Sequence, residues 1–105
     1  MSTAYLFLPD LLAEVPDIPG DSILSRTLFQ DDRLKVVLFA FAGGQELSEH
    51  TAARPAVLHF LSGEATVTLG EDTFQAQAGS WAHMPPHLPH SIRAHSDTVM
   101  LLLML

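Results

Sequence analysis

Apolar and polar positions alternate in short runs along this chain, and turn residues cut the runs at close intervals. In His90-Ser91-Ile92-Arg93-Ala94-His95, one side of an extended strand carries His90, Ile92 and Ala94, and the other carries Ser91, Arg93 and His95. Reading the whole chain in this way predicts strands over Ile23–Phe29, Leu34–Ala42, Val57–Leu61, Ala65–Leu69, Thr73–Ala76, Ser80–Met84, His90–Ala94 and Thr98–Leu105. A short polar stretch, Gln45–Thr51, adds a further extended segment. Between them lie turn signals such as Asp31-Asp32, Gly43-Gly44, Ser62-Gly63-Glu64, Gly70-Glu71-Asp72 and Gln77-Ala78-Gly79. About nine strands at this spacing, with no sustained helical period, describe an all-β sandwich or barrel.

The organisation is one barrel domain over residues 23–105, preceded by an arm over residues 1–22. In the arm, Leu11–Glu14 is long enough for one helical turn. Pro9, Pro16, Pro19 and Gly20 around it favour an extended arm docked on the barrel or on a partner subunit.

Two strands are apolar on both faces. Ala56, Leu58 and Phe60 alternate with Val57, His59 and Leu61, and Val99 to Leu105 is apolar throughout. Such strands need cover on both sides. A second copy of the chain is the simplest cover, so a homodimer is expected; the arm folding over these faces is the alternative. His59 has the parity opposite to Ala56 and should point away from the barrel interior. His83 shares a face with Trp81, and Ala82 shares one with Met84, but the pattern does not say which face is inward.

Composition removes several functions. The net charge of -7, from 5 basic and 12 acidic residues, argues against nucleic acid and against an anionic membrane surface. With no cysteine there is no disulfide, thiolate metal site or cysteine nucleophile. Met1 to Pro9 has no basic region, so it does not read as a signal peptide. No apolar run is long enough to span a bilayer. A cytoplasmic protein is the expectation. Gly43-Gly44 lacks the lysine and helix of a phosphate loop, and no serine sits in a nucleophile elbow.

His90 is the lone polar group on an apolar face, and a buried imidazole needs a hydrogen-bond partner or a ligand. Its surroundings carry a resemblance. Gly44 is followed after five residues by His50, and Gly63 closes that segment; Gly79 leads after five residues to Pro85 and then to His90. These spacings resemble the two sequence motifs of the cupin superfamily. The resemblance covers residues 23–105 and implies a jelly-roll barrel, usually dimeric, with His50 and His90 facing one pocket inside it. Ala56, Leu58, Phe60 and Ile92, together with Ala52, would line that pocket.

The family's metal-binding members use two His and one Glu from the first motif and one His from the second. Here Ala52 stands at the second His and Ala56 at the Glu. His87 stands at a glycine of the second motif and Ala94 at its Asn. Alanine offers no lone pair, and catalytic zinc keeps three protein ligands. If a divalent metal (Fe, Mn, Ni or Zn) is held at all, His50 and His90 are its ligands, with Glu46, His83 or His87 as candidates for a third. Glu46 qualifies only if its strand is regular, which gives it the parity of His50.

Three readings follow, in this order. The first is a barrel that binds a small molecule, with the metal site reduced or absent. The second is a metal-dependent oxygenase, isomerase or lyase acting on a small polar organic molecule. The third is a structural or regulatory dimer without ligand chemistry. Whether the protein is catalytic stays open on sequence alone.

Overall fold

The computed structural model describes residues 5–15 and 17–105; the first four residues and Pro16, which belong to the predicted arm, lie outside the described residues. Nine strands follow in chain order: β1 Ile23–Gln30, β2 Lys35–Phe41, β3 Glu46–His50, β4 Ala56–Ser62, β5 Glu64–Leu69, β6 Asp72–Gln77, β7 Trp81–Met84, β8 His90–Ala94 and β9 Thr98–Met104. They form two antiparallel sheets, ordered β1-β2-β9-β4-β7 and β3-β8-β5-β6. This is the jelly-roll barrel that the motif spacing implied. No helix is long and apolar enough to cross a membrane among the described residues.

The alternation that predicted the strands also sorts their faces. Ala56, Leu58 and Phe60 of β4 and Ile92 and Ala94 of β8 are buried in one core with Phe41 and Met100. Phe41, Leu58, Phe60, Ile92 and Met100 are each 2% exposed or less. Burying side chains of this size contributes about 1.5–3 kcal/mol each. On β7 the structure resolves the face that the pattern left open. Met84 is buried in the core and Ala82 packs against it, while Trp81 and His83 are exposed.

The outer face of the five-stranded sheet holds a second cluster of Leu38, Val99 and Leu101, against which Leu61, Leu103 and the arm residues Leu11 and Val15 pack. The arm thus supplies part of the cover that β4 and β9 require. It does so through a 3-10 turn at Leu11–Glu14 rather than a wholly extended chain. The flanking prolines do not forbid this, because none falls inside the turn. The Asp10 carboxylate accepts the Leu12 N–H at 3.1 Å, and Arg26 donates to the Glu14 carbonyl at 3.2 Å.

Side chains tie the loops to the sheets. Arg54 donates to the main-chain carbonyls of Leu105, Arg33 and Met104 at 3.0 to 3.2 Å. Asp31 accepts the N–H groups of Arg33 and Leu34, both at 2.8 Å, in the β1–β2 turn. Those two bonds hold its carboxyl below the ordinary value of 3.8.

At the β4–β5 corner, Gly63 has φ +87°, and a Cβ there would run into the Asp97 carbonyl and lie 2.5 Å from Thr98 Oγ1. The Thr98 hydroxyl, fully buried, lies within hydrogen-bond reach of the Ser96 carbonyl at 2.8 Å and the Glu64 carbonyl at 3.2 Å. Gly63 is therefore fixed by contact as well as by backbone angle. Gly79, at φ +93°, has open space at the same atom.

Two predictions follow from these backbone sites. Gly63→Ala is expected to cost on the order of 3 kcal/mol in denaturant unfolding, from strain plus steric overlap. Gly79→Ala is expected to cost about 1–2 kcal/mol, from strain alone. Equal losses at the two sites would contradict the contact argument. His87 is the one described non-glycine residue in the left-handed region, at φ 66°. His87→Gly is expected to raise stability by up to about 1 kcal/mol by releasing that strain; a clear loss would show that the His87 side chain makes a stabilising contact.

Candidate functional site

His50 and His90 meet because β3 is irregular. Glu46 pairs with Arg93 and Leu47 with Ile92, but the next pair is His50 with His90. Three steps along β3 match two along β8, so β3 carries one extra residue. Side-chain direction alternates with every residue, so one inserted residue reverses the faces beyond it. Leu47 and His50 therefore share the side of Ile92 and His90, although their separation in sequence is odd. Glu46 goes to the other side with exposed Arg93. The parity that made Glu46 a candidate ligand held only for a regular strand, and the bulge removes it.

The two rings lie 4.1 Å apart between centroids, tilted by 59°. They stand side by side on neighbouring strands of one sheet. His90 is 6% exposed, and His50 is exposed at the end of β3. Both rings are held in the same way. His50 Nδ1 is 2.9 Å from the Ser48 carbonyl oxygen, and His90 Nδ1 is 2.9 Å from the Leu88 carbonyl oxygen. A carbonyl only accepts, so in each ring Nδ1 carries the proton and donates. In the neutral imidazole this leaves the Nε2 lone pair free on both rings. Backbone clasping of one ring nitrogen is how proteins orient a histidine whose other nitrogen is in use. The bond also satisfies the buried polar group of His90. No fully buried side-chain nitrogen or oxygen lacks a partner among the described residues.

The other sequence candidates lie elsewhere. His83 is exposed on the outer face of β7, in register with Val57. His87 is exposed in the loop between β7 and β8, where its N–H donates to the Ala52 carbonyl at 2.7 Å. His59 lies on the outer side of β4, in register with Trp81. Among the described residues, no three His, Asp or Glu side chains are grouped to hold an ion. The donor set at the pair is thus two imidazoles, with Ala52 and Ala56 offering none. That set does not fit the three-ligand centre of a catalytic transition metal. Rings around a shared tetrahedral ion, at metal–nitrogen distances of about 2.1 Å, would also stand roughly 5 Å apart, farther than these do.

A cavity of about 400 Å³ is bordered by Phe60 and Trp81, two aromatic residues whose first expected place is the core, and by neither His50 nor His90. Phe60 alone, among the residues expected to line a pocket, lines it. Ala56, Leu58 and Ile92 are instead packed in the core. Val67, Leu69, Ala76 and Ala82 supply most of the remaining wall. Leu69 is also the register partner of His90, so this wall residue stands beside the histidine pair, while neither histidine lines the cavity. The signal in the sequence was weak: small residues at 76 and 82 facing aromatic residues at 60 and 74.

Comparison with known proteins agrees with this architecture. A conserved protein of unknown function from Streptococcus pyogenes is 33% identical, covers 100% of this chain and 90% of its own, and superposes with a TM-score of 0.83. A cupin superfamily protein from Desulfitobacterium hafniense DCB-2 is 28% identical over 96% of this chain and 93% of its own, with a TM-score of 0.86. The DMSP lyase DddQ from Ruegeria pomeroyi DSS-3 shares the fold at 19% identity and a TM-score of 0.73, over 78% of this chain and 46% of its own. No curated protein matches the chain. The family model for the cupin domain matches residues 37–105, which span the strands carrying both histidines, and the chain belongs to the cupin family.

Proposed function

We propose that the protein binds a small polar organic molecule at His50 and His90, which anchor it by hydrogen bonds rather than through a metal. The observation that carries this reading is the matched clasp: two imidazoles in register, each donating Nδ1–H to a carbonyl two residues back. In that state two adjacent rings each keep an Nε2 acceptor, suited to the O–H or N–H groups of one ligand. The alanines at the family's other ligand positions support the same conclusion. The lyase named above shares the fold alone, and its reaction is not carried over.

Nitrogen-detected NMR of the neutral imidazoles is expected to find the Nδ1–H tautomer at both residues. Protein purified without chelator, loaded with Fe(II), Mn(II), Ni(II) or Zn(II) and desalted, is expected to keep far less than one ion per chain. One tightly held ion per chain, lost on His90→Ala, would overturn the reading, as would an Nε2–H tautomer at either ring.

We also propose a homodimer, with the arm and the outer face of the five-stranded sheet as its contact. Tyr5 and Phe7 are 79% and 75% exposed even with Leu11 and Val15 docked. Apolar surface of this kind marks interaction sites. Light scattering is expected to give twice the chain mass of 11.5 kDa, and Leu6→Glu with Phe7→Glu is expected to give a folded monomer. A monomeric unsubstituted protein would contradict the proposal.

A further inference from the structure

The cavity away from the histidines has its own construction. It opens where the barrel fails to close: β6 ends one sheet and β7 ends the other, so two strand edges border the gap without pairing. Phe74 of β6 and Trp81 of β7 flank it, and they are 53% and 63% exposed. Behind them the wall is Phe60, Val67, Leu69, Ala76 and Ala82. Small residues on β6 and β7 leave the space, and aromatic residues line its mouth. A volume of about 400 Å³ falls in the range of small-molecule sites.

The polar groups in the lining are few, and their hydrogen bonds define what remains free. Ser80 Oγ accepts the Gln77 N–H at 2.9 Å, which leaves the Ser80 hydroxyl proton available to donate. The Gln77 carbonyl accepts the Ser80 N–H at 2.9 Å. The main-chain groups of Gln77 therefore both point away from β5. Main-chain direction alternates along an antiparallel strand, so Gln75, two residues earlier, turns its N–H and C=O toward the gap as well. The Gln75 side chain is engaged elsewhere, accepting from Thr66 Oγ1 at 3.2 Å. The lining has no charged side chain.

From this arrangement we propose a second binding site, separate from the histidine pair, for an uncharged aromatic molecule bearing an oxygen acceptor such as a carbonyl or ether. The ring lies between Phe74 and Trp81 against the apolar wall, by offset or edge-to-face contact. Its oxygen accepts from the Ser80 hydroxyl and the Gln75 N–H. Carboxylates are disfavoured, because no cation offsets their desolvation and the chain carries a net charge of -7. The proposal does not rest on the role given to His50 and His90.

Trp81 is the only tryptophan in the chain, so its indole N–H gives one resonance that reports on this site alone. Acetophenone titrated into the full-length protein is expected to shift that resonance saturably, with a Kd on the order of 1 mM. Toluene, of similar shape without the oxygen, is expected to bind about fivefold more weakly. Benzoate is expected to bind more weakly still. Ser80→Ala should erase the advantage of acetophenone over toluene while leaving toluene unchanged. Ala82→Leu should abolish binding by filling the space. Phe74→Ala, at an exposed edge position, should weaken it and serves as the test if the filled variant does not fold. His90→Ala should leave the titration unchanged. No saturable shift with acetophenone, binding that survives both Ala82→Leu and Phe74→Ala, or binding lost on His90→Ala would overturn the proposal.

Discussion

One residue beyond a regular pairing in β3 decides what this barrel presents beside His90. Were β3 in continuous register with β8 beyond Leu47, Glu49 would stand opposite His90 and His50 would turn outward. The bulge replaces that carboxylate with a second imidazole. Two rings side by side, His50 anchored through Nδ1 to β3 and His90 to the loop that leads into β8, then form a unit with a fixed orientation. The anchoring bonds are local, spanning two residues each, so the geometry survives small movements between strands.

What the sequence discloses and what it hides divide along a physical line. The face of a residue within one regular strand follows from a period of two, which is why His90 and Ile92 share an inward face by the pattern alone; Leu58 and Phe60, on a strand apolar on both faces, needed the family resemblance to say which face is inward. The spacing of Gly44, His50 and Gly63, and of Gly79, Pro85 and His90, carries the fold because it encodes corners. Gly63 shows how: its corner lies so close to Asp97 and Thr98 that a side chain has nowhere to go. Features that depend on two strands together were not legible. The β3 bulge is a relation between β3 and β8. The orientation of β7, with Trp81 and His83 outward, is set by pairing with β4. The cavity exists because β6 and β7 do not meet. The 3-10 turn in the arm is likewise held by Arg26, which lies in β1.

The backbone of the family's motifs persists here where donor atoms do not. At position 87, where the family has glycine, the chain keeps a left-handed conformation although the residue is histidine. Position 52 has lost its imidazole, yet its carbonyl still receives the His87 N–H and ties the two motifs together. With alanine at two of the family's ligand positions, the donors left at those positions are the His50 and His90 imidazoles. The cavity lined by Phe60, Val67, Leu69 and Ala76 is walled by apolar side chains and includes neither histidine.

The strand order has a consequence in time rather than in space. β9 occupies the middle of the five-stranded sheet, between β2 and β4, and its Met104 pairs with Lys35 across most of the chain. During synthesis, β1 and β2 can form a hairpin early, but the sheet has a gap at its centre until β9 has been made. Loop closure over such distances is slow compared with local pairing. For that interval β2 and β4 lack the strand that pairs with both, and unpaired apolar strands of this kind favour self-association.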